Sequence, residues 1–317
     1  MSGAPRPIVF DTDIGSDVDD AVALALLLAC PEVVDLRAVT TVAADTAARA
    51  RIAARHLALA GRTDIVVAAG EREALLRKGR FPVWGHEGRG VPEGPLAPIL
   101  DEAAPETIVR LAHETPGLEI LAVGPMTNLA RALAIDAALP SRIAGVTVMG
   151  GHVRRAAIGG RVFPPGIDYN LCSDPEASVA VLGAGFRTTL VTADVTLQVW
   201  LRPDDVRAIE TTGPLGAAVA EQIRVWDPVQ RALFSGMGGE MAQDNVSFLH
   251  DPLAALALID PAPIGFEKLR IVPTIVSGTF RTIEADPAGE LGIEMRVATR
   301  VDARAAEREI VARLKRR

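Results

Sequence analysis

Five aspartates fall within ten positions near the amino terminus: Asp11, Asp13, Asp17, Asp19 and Asp20. Carboxylates held a few ångströms apart repel one another, and folding them together is costly unless some take up protons or a cation neutralises them. The stretch from Asp11 to Asp20 holds no Cys and no His. Donors that are all oxygen suit a hard cation, either Ca²⁺ with its flexible shell or Mg²⁺ with its tighter one. The competing reading is a solvated acidic turn leading into a helix, whose N-terminus favours Asp in any case. It is disfavoured because unpaired carboxylates seldom sit between buried elements. A second chemistry-bearing group, His250-Asp251-Pro252, opens the apolar run that starts at Leu253. Taken alone it reads as structure, with Asp251 an N-cap and Pro252 the first helical residue.

The elements around the acidic stretch are buried ones. Ile8-Val9-Phe10 before it is a short apolar strand, and Ala21 to Ala29 after it is apolar nearly all round, as a buried helix would be. In an open α/β sheet that strand-to-helix turn lies at the carboxyl end of the strand, where ligands bind, and Gly15 frees the backbone to turn sharply. Further strands are expected at Leu36 to Val42, Ile65 to Ala69, Leu118 to Val123, Ile143 to Met149 and Phe186 to Val195, then late ones at Lys268 to Val276 and Ile293 to Val301. Helices are expected from Thr46 to Ala60, from Pro105 to about His113, as one or two segments between Pro203 and Leu233, and from Ala303 to Lys315. The alternation predicts one large α/β domain with an open, mostly parallel, doubly wound sheet.

Length and composition agree. The 317 residues, 49% hydrophobic, support a sizeable core. A formal net charge of -7 argues against nucleic-acid or anionic-membrane partners and favours a small molecule. Cys30 and Cys172 are too few for a disulfide framework, the first residues lack the apolar core of a signal peptide, and the run from Ala21 to Cys30 is well short of a membrane span. The expectation is a cytoplasmic protein. The segment from Gly79 to Pro98 has no periodicity, and Trp84 and His86 within it suit a loop closing over a flat ligand.

The run Asp11-Thr12-Asp13-Ile14-Gly15, followed by Asp19-Asp20-Ala21, resembles the N-terminal signature of the calcium-dependent nucleoside hydrolases, which cleave the N-glycosidic bond of ribonucleosides with water. The usual family loop is two residues shorter, and Asp17 has no counterpart in it. Further matches are Gly124 to Ala130, Met149-Gly150-Gly151, Asp168-Tyr169-Asn170 with Asp174-Pro175-Glu176-Ala177, and His250-Asp251-Pro252. The resemblance implies one nucleoside hydrolase-like domain over 1–317, with active-site loops at about 11–20, 79–98, 150–172 and 225–251. It implies Ca²⁺ held by Asp13, Asp20, the Val123 carbonyl and Asp251, with Asp13 also the general base. Asp19 and Asn170 would bind ribose hydroxyls, Asp168 the 5′-hydroxyl end, and His250 the departing base. Asp45 stands where the family has a sugar-binding Asn, and a plain N-cap explains it equally well. Trp84-Gly85 stands where the family has His-Gly, with His86 two residues later. Trp226 is a further base-side residue by resemblance, although a Trp at helical spacing is more often core. A ribonucleoside substrate and a homodimer or homotetramer are implied.

Two other classes fit part of the sequence. The opening Ile8 to Asp13 resembles haloacid-dehalogenase-type phosphatases, but the later match at His250-Asp251-Pro252 does not belong to that class. The other is a non-catalytic nucleoside or ribose binder that keeps the same pocket. Release of free ribose from a nucleoside separates all three.

Overall fold

The computed structural model describes residues 4–79, 81–166 and 168–316. Arg80 and Ile167, which fall inside two of the expected active-site loops, lie outside the described residues. The chain opens with strand β1 (Arg6–Thr12), helix α1 (Asp19–Leu28), β2 (Val34–Thr41), α2 (Thr46–Leu59), β3 (Val66–Ala69) and β4 (Ile99–Leu100). It continues through α3 (Ala104–Glu114), β5 (Glu119–Ala122), α4 (Thr127–Ile135), α5 (Leu139–Arg142) and β6 (Gly145–Met149). A hairpin of β7 (Ala156–Ile158) and β8 (Arg161–Phe163) precedes α6 (Tyr169–Ser173), α7 (Pro175–Gly183), β9 (Thr188–Val191) and α8 (Ala193–Thr196). Then come β10 (Trp200–Leu201), α9 (Pro203–Glu210), α10 (Pro214–Gly236), β11 (Ser247–Phe248) and α11 (His250–Ile259). The end is β12 (Ile264–Val276), β13 (Thr279–Glu284), β14 (Ile293–Val301) and α12 (Ala303–Leu314).

Among the described residues, ten strands form the main sheet in the order β13-β12-β14-β9-β6-β5-β1-β2-β3-β4. Pairing is parallel from β4 to β14, and β12 and β13 close the far edge antiparallel. Alternation along β1 sends Ile8 and Phe10 into one core and Val9 into the other. Helices α1, α2, α10, α11 and α12 cover the first face, and α3, α4 and α7 the second. This is the doubly wound sheet that the strand and helix pattern predicts. From β1 the chain goes to β2 on one side and later returns to β5 on the other, so the strand order reverses between β1 and β5. A crevice at the carboxyl ends of the strands on such a switch point is the place for a ligand. The residues that follow β1 and β5 are Asp13 and Val123.

Two details differ from expectation, and a third resolves an open alternative. The strand expected from Phe186 to Val195 ends at Val191, because Ala193 N–H donates to Gly151 O at 2.8 Å and the chain turns into α8. The region from Pro203 resolves into two helices, broken at Gly213, whose φ of 121° only glycine tolerates without strain. Strand β13 was not anticipated; Ser277 and Gly278, both at positive φ, make the two-residue turn that folds it onto β12.

Asn128 ties the strand ends together beneath the crevice. Its Nδ2 donates to Asp11 Oδ1 at 2.7 Å and to Thr41 O at 3.1 Å, and its Oδ1 accepts from Glu71 N–H at 2.9 Å. It thus braces β1, β2 and the segment after β3 as well as opening α4. Asn128→Ala strands these partners in a dry site, and the expected loss in unfolding free energy by urea titration is about 3 kcal/mol. A loss indistinguishable from zero would show that the brace is redundant.

Candidate active site

Helices α1 and α11 pack together with their N-termini side by side, and each brings acidic residues in its first turn. Asp19 and Asp20 open α1, and every residue of that helix is buried. The apolar sequence from Ala21 onward accounts for this, since a helix without a polar face has to lie inside. Helix α11 begins at His250, two residues before the expected first helical residue Pro252, so Asp251 is not its N-cap. Instead Asp19 Oδ2 reaches across and accepts from Asp251 N–H at 3.0 Å. That cross-helix cap releases the Asp251 carboxylate for other work. Asp19, Asp20 and Asp251 each offer an oxygen within 4.8 Å of the others, and all three are buried.

Burial first, and mutual repulsion second, push the Asp20 and Asp251 carboxyls well above the usual carboxylate range. Burial and then the Asp17 charge do the same to Asp19. Asp17 itself is pushed up to about 7 by burial and then Asp20, and its Oδ1 accepts from Asp19 N–H at 3.3 Å. Asp13 is raised by burial, while the nearby Arg49 guanidinium opposes the rise. Asp11, beneath them, is raised to about 7 by burial against hydrogen bonds from Thr40 and Asn128. Without a cation the protein relieves its own repulsion by holding protons. Clustered, buried, all-oxygen donors fit a divalent hard cation. Two helix N-termini aimed at the same place add favourable field for negative charge.

The remaining expected residues fall around this cluster in different ways. Val123 directly follows β5, and its carbonyl accepts from Asn170 Nδ2 at 2.6 Å, which leaves a second lone pair for a metal. Asn170 also donates to Met149 O at 3.1 Å. Asp168 is buried and caps α6, with Oδ1 accepting from Leu171 N–H at 2.7 Å, and burial raises its carboxyl to about 6. Asp45 is exposed and caps α2 by accepting from Ala48 N–H at 3.1 Å, so the plain N-cap reading describes its contacts. His86 is buried, and its Nε2 donates to Ser16 O at 2.7 Å. It therefore braces the acidic loop instead of swinging freely. Its ring lies 5.6 Å from that of Trp226, which is part of the main core. Trp84 is 40% exposed, and its side chain hydrogen-bonds the Tyr169 hydroxyl. His250 is half-buried; its Nδ1 shares a 2.6 Å hydrogen bond with Thr196 Oγ1, and burial lowers its pKa to about 4. Burial thus favours the uncharged ring.

Sequence reasoning missed several supporting residues. The hydroxyl of Thr12 donates to Asp20 Oδ1 and accepts from Ile14 N–H. Arg49, buried on α2, donates to the loop carbonyls. Its signal was available: it sits three and seven residues before Ile52 and His56, both buried, on the inner face of the helix. Gly124 makes room for Asp13, since a Cβ there would lie 3.0 Å from Asp13 Oδ1 and 2.8 Å from Val42 Cγ1.

Two outcomes follow from this geometry. For Gly124→Ala, folded as judged by circular dichroism, displacement of Asp13 should lower the rate of substrate turnover by about a hundredfold. A wild-type rate would mean that Asp13 tolerates the shift. In the second, raised carboxyl pKa values mean that the folded, metal-free protein binds more protons than the unfolded chain between the ordinary Asp range and about 7. Stability then falls as pH rises through that window. The melting temperature of metal-free protein should rise on going from pH 8 to pH 6, and the rise should vanish with saturating divalent cation. A melting temperature that drops on acidification without metal would contradict it.

Comparison with known proteins agrees with the site. The family model described as inosine-uridine preferring nucleoside hydrolase matches residues 8–309. A pyrimidine-specific ribonucleoside hydrolase RihA of Salmonella newport (strain SL254) is 32% identical over 264 residues, covering 80% of each chain. A probable uridine nucleosidase 2 of Arabidopsis thaliana is 30% identical, covering 82% of this chain and 79% of the relative. Among solved structures, the plant nucleoside hydrolase PpNRh1 superposes with a TM-score of 0.83 at 25% identity, covering 98% of this chain and 99% of the other. A purine-preferring ribonucleoside hydrolase from Gardnerella vaginalis shares the fold, with a TM-score of 0.82 at 23% identity and 98% of both chains covered. The phosphatase reading is not favoured by any of these matches. With its carboxylate cluster at the switch point and a family match over nearly its whole length, the chain belongs to the inosine-uridine preferring nucleoside hydrolase family and is an N-ribosyl hydrolase.

Proposed function

We propose that the chain is a calcium-dependent ribonucleoside hydrolase in which Asp13 is the general base. The observation that carries this reading is the meeting of Asp19, Asp20 and Asp251 at two helix N-termini, next to Asp13 and Val123 at the sheet's switch point. Asp13, Asp20, Asp251 and the Val123 carbonyl would hold Ca²⁺. When bound, the ion supplies positive charge that draws in the sugar diol and makes a water more acidic.

Asp13 takes a proton from water as the water oxygen bonds to C1′ and the C1′–N pair leaves with the base. Asp19, whose Oδ2 is already oriented by Asp251 N–H, accepts a hydrogen bond from a ribose hydroxyl and favours the positive charge that develops on the sugar. Asn170 and Asp168 serve the rest of the ribose. His250 stays neutral; in the tautomer in which Thr196 Oγ1 donates to Nδ1, the ring keeps its hydrogen on Nε2 and offers it as a hydrogen bond to the departing base, which leaves with the C1′–N electron pair. Trp84, His86 and Trp226 belong to the base side. A pyrimidine base is proposed first, because the relatives at 32% and 30% identity described above are named for pyrimidine nucleosides or uridine.

Free ribose released from uridine in the presence of Ca²⁺ is the direct test. Asp13→Asn should lower kcat by about 10²- to 10⁴-fold while changing KM far less, because a general base acts in the transition state. Equal losses in kcat and in substrate affinity would reduce Asp13 to a ligand, and absence of ribose with any nucleoside would leave only a binding protein.

A further inference from the structure

Arg49 is a buried cation that no step above uses. It is 3% exposed, and its guanidinium is spent on the acidic loop and on the end of β2. Nη1 donates to Asp13 O and to Ile14 O, the latter at 3.0 Å, and Nη2 donates to Ser16 Oγ at 3.0 Å. Nε donates to Ala43 O at 2.8 Å, where the chain leaves β2 through Ala43 and Ala44, both at positive φ. The loop lies directly on α2: at Gly15, with φ of 115°, an added Cβ would come within 2.7 Å of Ile52 Cδ1. From the 79–98 loop His86 Nε2 donates to Ser16 O. The acidic loop is thus held by a guanidinium on α2 and by an imidazole from the 79–98 loop.

We propose that Arg49 is a positioning residue for the reaction: by holding the carbonyls of Asp13 and Ile14 and the hydroxyl of Ser16, it fixes the direction of the Asp13 carboxylate before a cation binds. This rests on the nucleoside hydrolase reading given above. The competing explanation is a buried arginine that merely satisfies loop carbonyls and adds stability. The two differ in what a lysine would do. Lysine keeps the charge but is a single point donor, unable to span oxygens that the planar fork reaches together. A loss in Arg49→Lys therefore reports geometry, not charge. The guanidinium also partly neutralises the cluster from behind, which is why a charge-removing variant would mix two opposite effects on cation binding.

The experiment compares wild type and Arg49→Lys by calorimetric Ca²⁺ titration of metal-free protein and by kcat and KM for uridine at saturating Ca²⁺. The expected result is a loss of about 10- to 100-fold in kcat with a weaker Ca²⁺ affinity, the size usual for removing a partner that orients metal ligands, while KM changes little. Values of kcat and Ca²⁺ affinity within about twofold of wild type would overturn the proposal, since that is below the usual outer-shell effect. Should Arg49→Lys fail to fold, Ser16→Ala removes only the Nη2 acceptor; a lowered kcat at unchanged KM supports the proposal and an unchanged kcat overturns it. Wild-type protein that released no ribose would instead sink the hydrolase reading, so the two failures are told apart.

Discussion

Mutual repulsion among buried carboxylates is the constraint on which the rest of this structure depends. Asp13, Asp19, Asp20 and Asp251 lie together away from solvent, and each titrates above its ordinary range because burial penalises its charge. A fold that tolerates this has to supply compensation from several directions. The first turns of α1 and α11 converge there, so two helix dipoles favour the same negative charge. Hydroxyl and amide donors from Thr12 and from the Asp251 backbone take up carboxylate lone pairs. What remains is a demand for positive charge, which a divalent ion meets.

That demand explains features that otherwise look unrelated. Helix α1 is buried along its whole length, so its N-terminus is fixed by packing and cannot drift as the charges repel. Gly124 lies against the Asp13 backbone and carboxylate, where a side chain would displace that carboxylate, and Gly15 lies against Ile52 of α2. Asp11, though part of the acidic run, takes no place among the metal-facing groups. With Thr40 and Asn128 it forms a floor that joins the ends of β1 and β2.

Much of this was legible in the sequence. Density of Asp between two apolar runs announced both the turn and the need for a cation, because few arrangements of buried elements excuse five carboxylates. The parallel sheet followed from strand and helix alternation. Harder to read was anything decided by contacts between distant segments. That Asp19 would cap α11 and shift its start to His250 depends on a partner 232 residues away. The burial that keeps His250 neutral, and the wedging of His86 between Ser16 and Trp226, come from tertiary packing and leave no local pattern. The hairpin turns at Gly159-Gly160 and Ser277-Gly278 were written in turn chemistry, yet short edge strands carry too little periodicity to stand out. Arg49 sat in plain view as a charge on the inner face of an alanine-rich helix.

Anomalous diffraction from a crystal of the protein equilibrated with Ca²⁺ tests the central claim most directly, because it locates the ion without reference to activity. The prediction is one strong peak per chain, with Asp20, Asp251, the Val123 carbonyl and Asp13 supplying oxygens at about 2.3 to 2.6 Å. An occupied peak elsewhere, or none at the junction of α1 and α11 under saturating Ca²⁺, would contradict the view that cation demand organises this site.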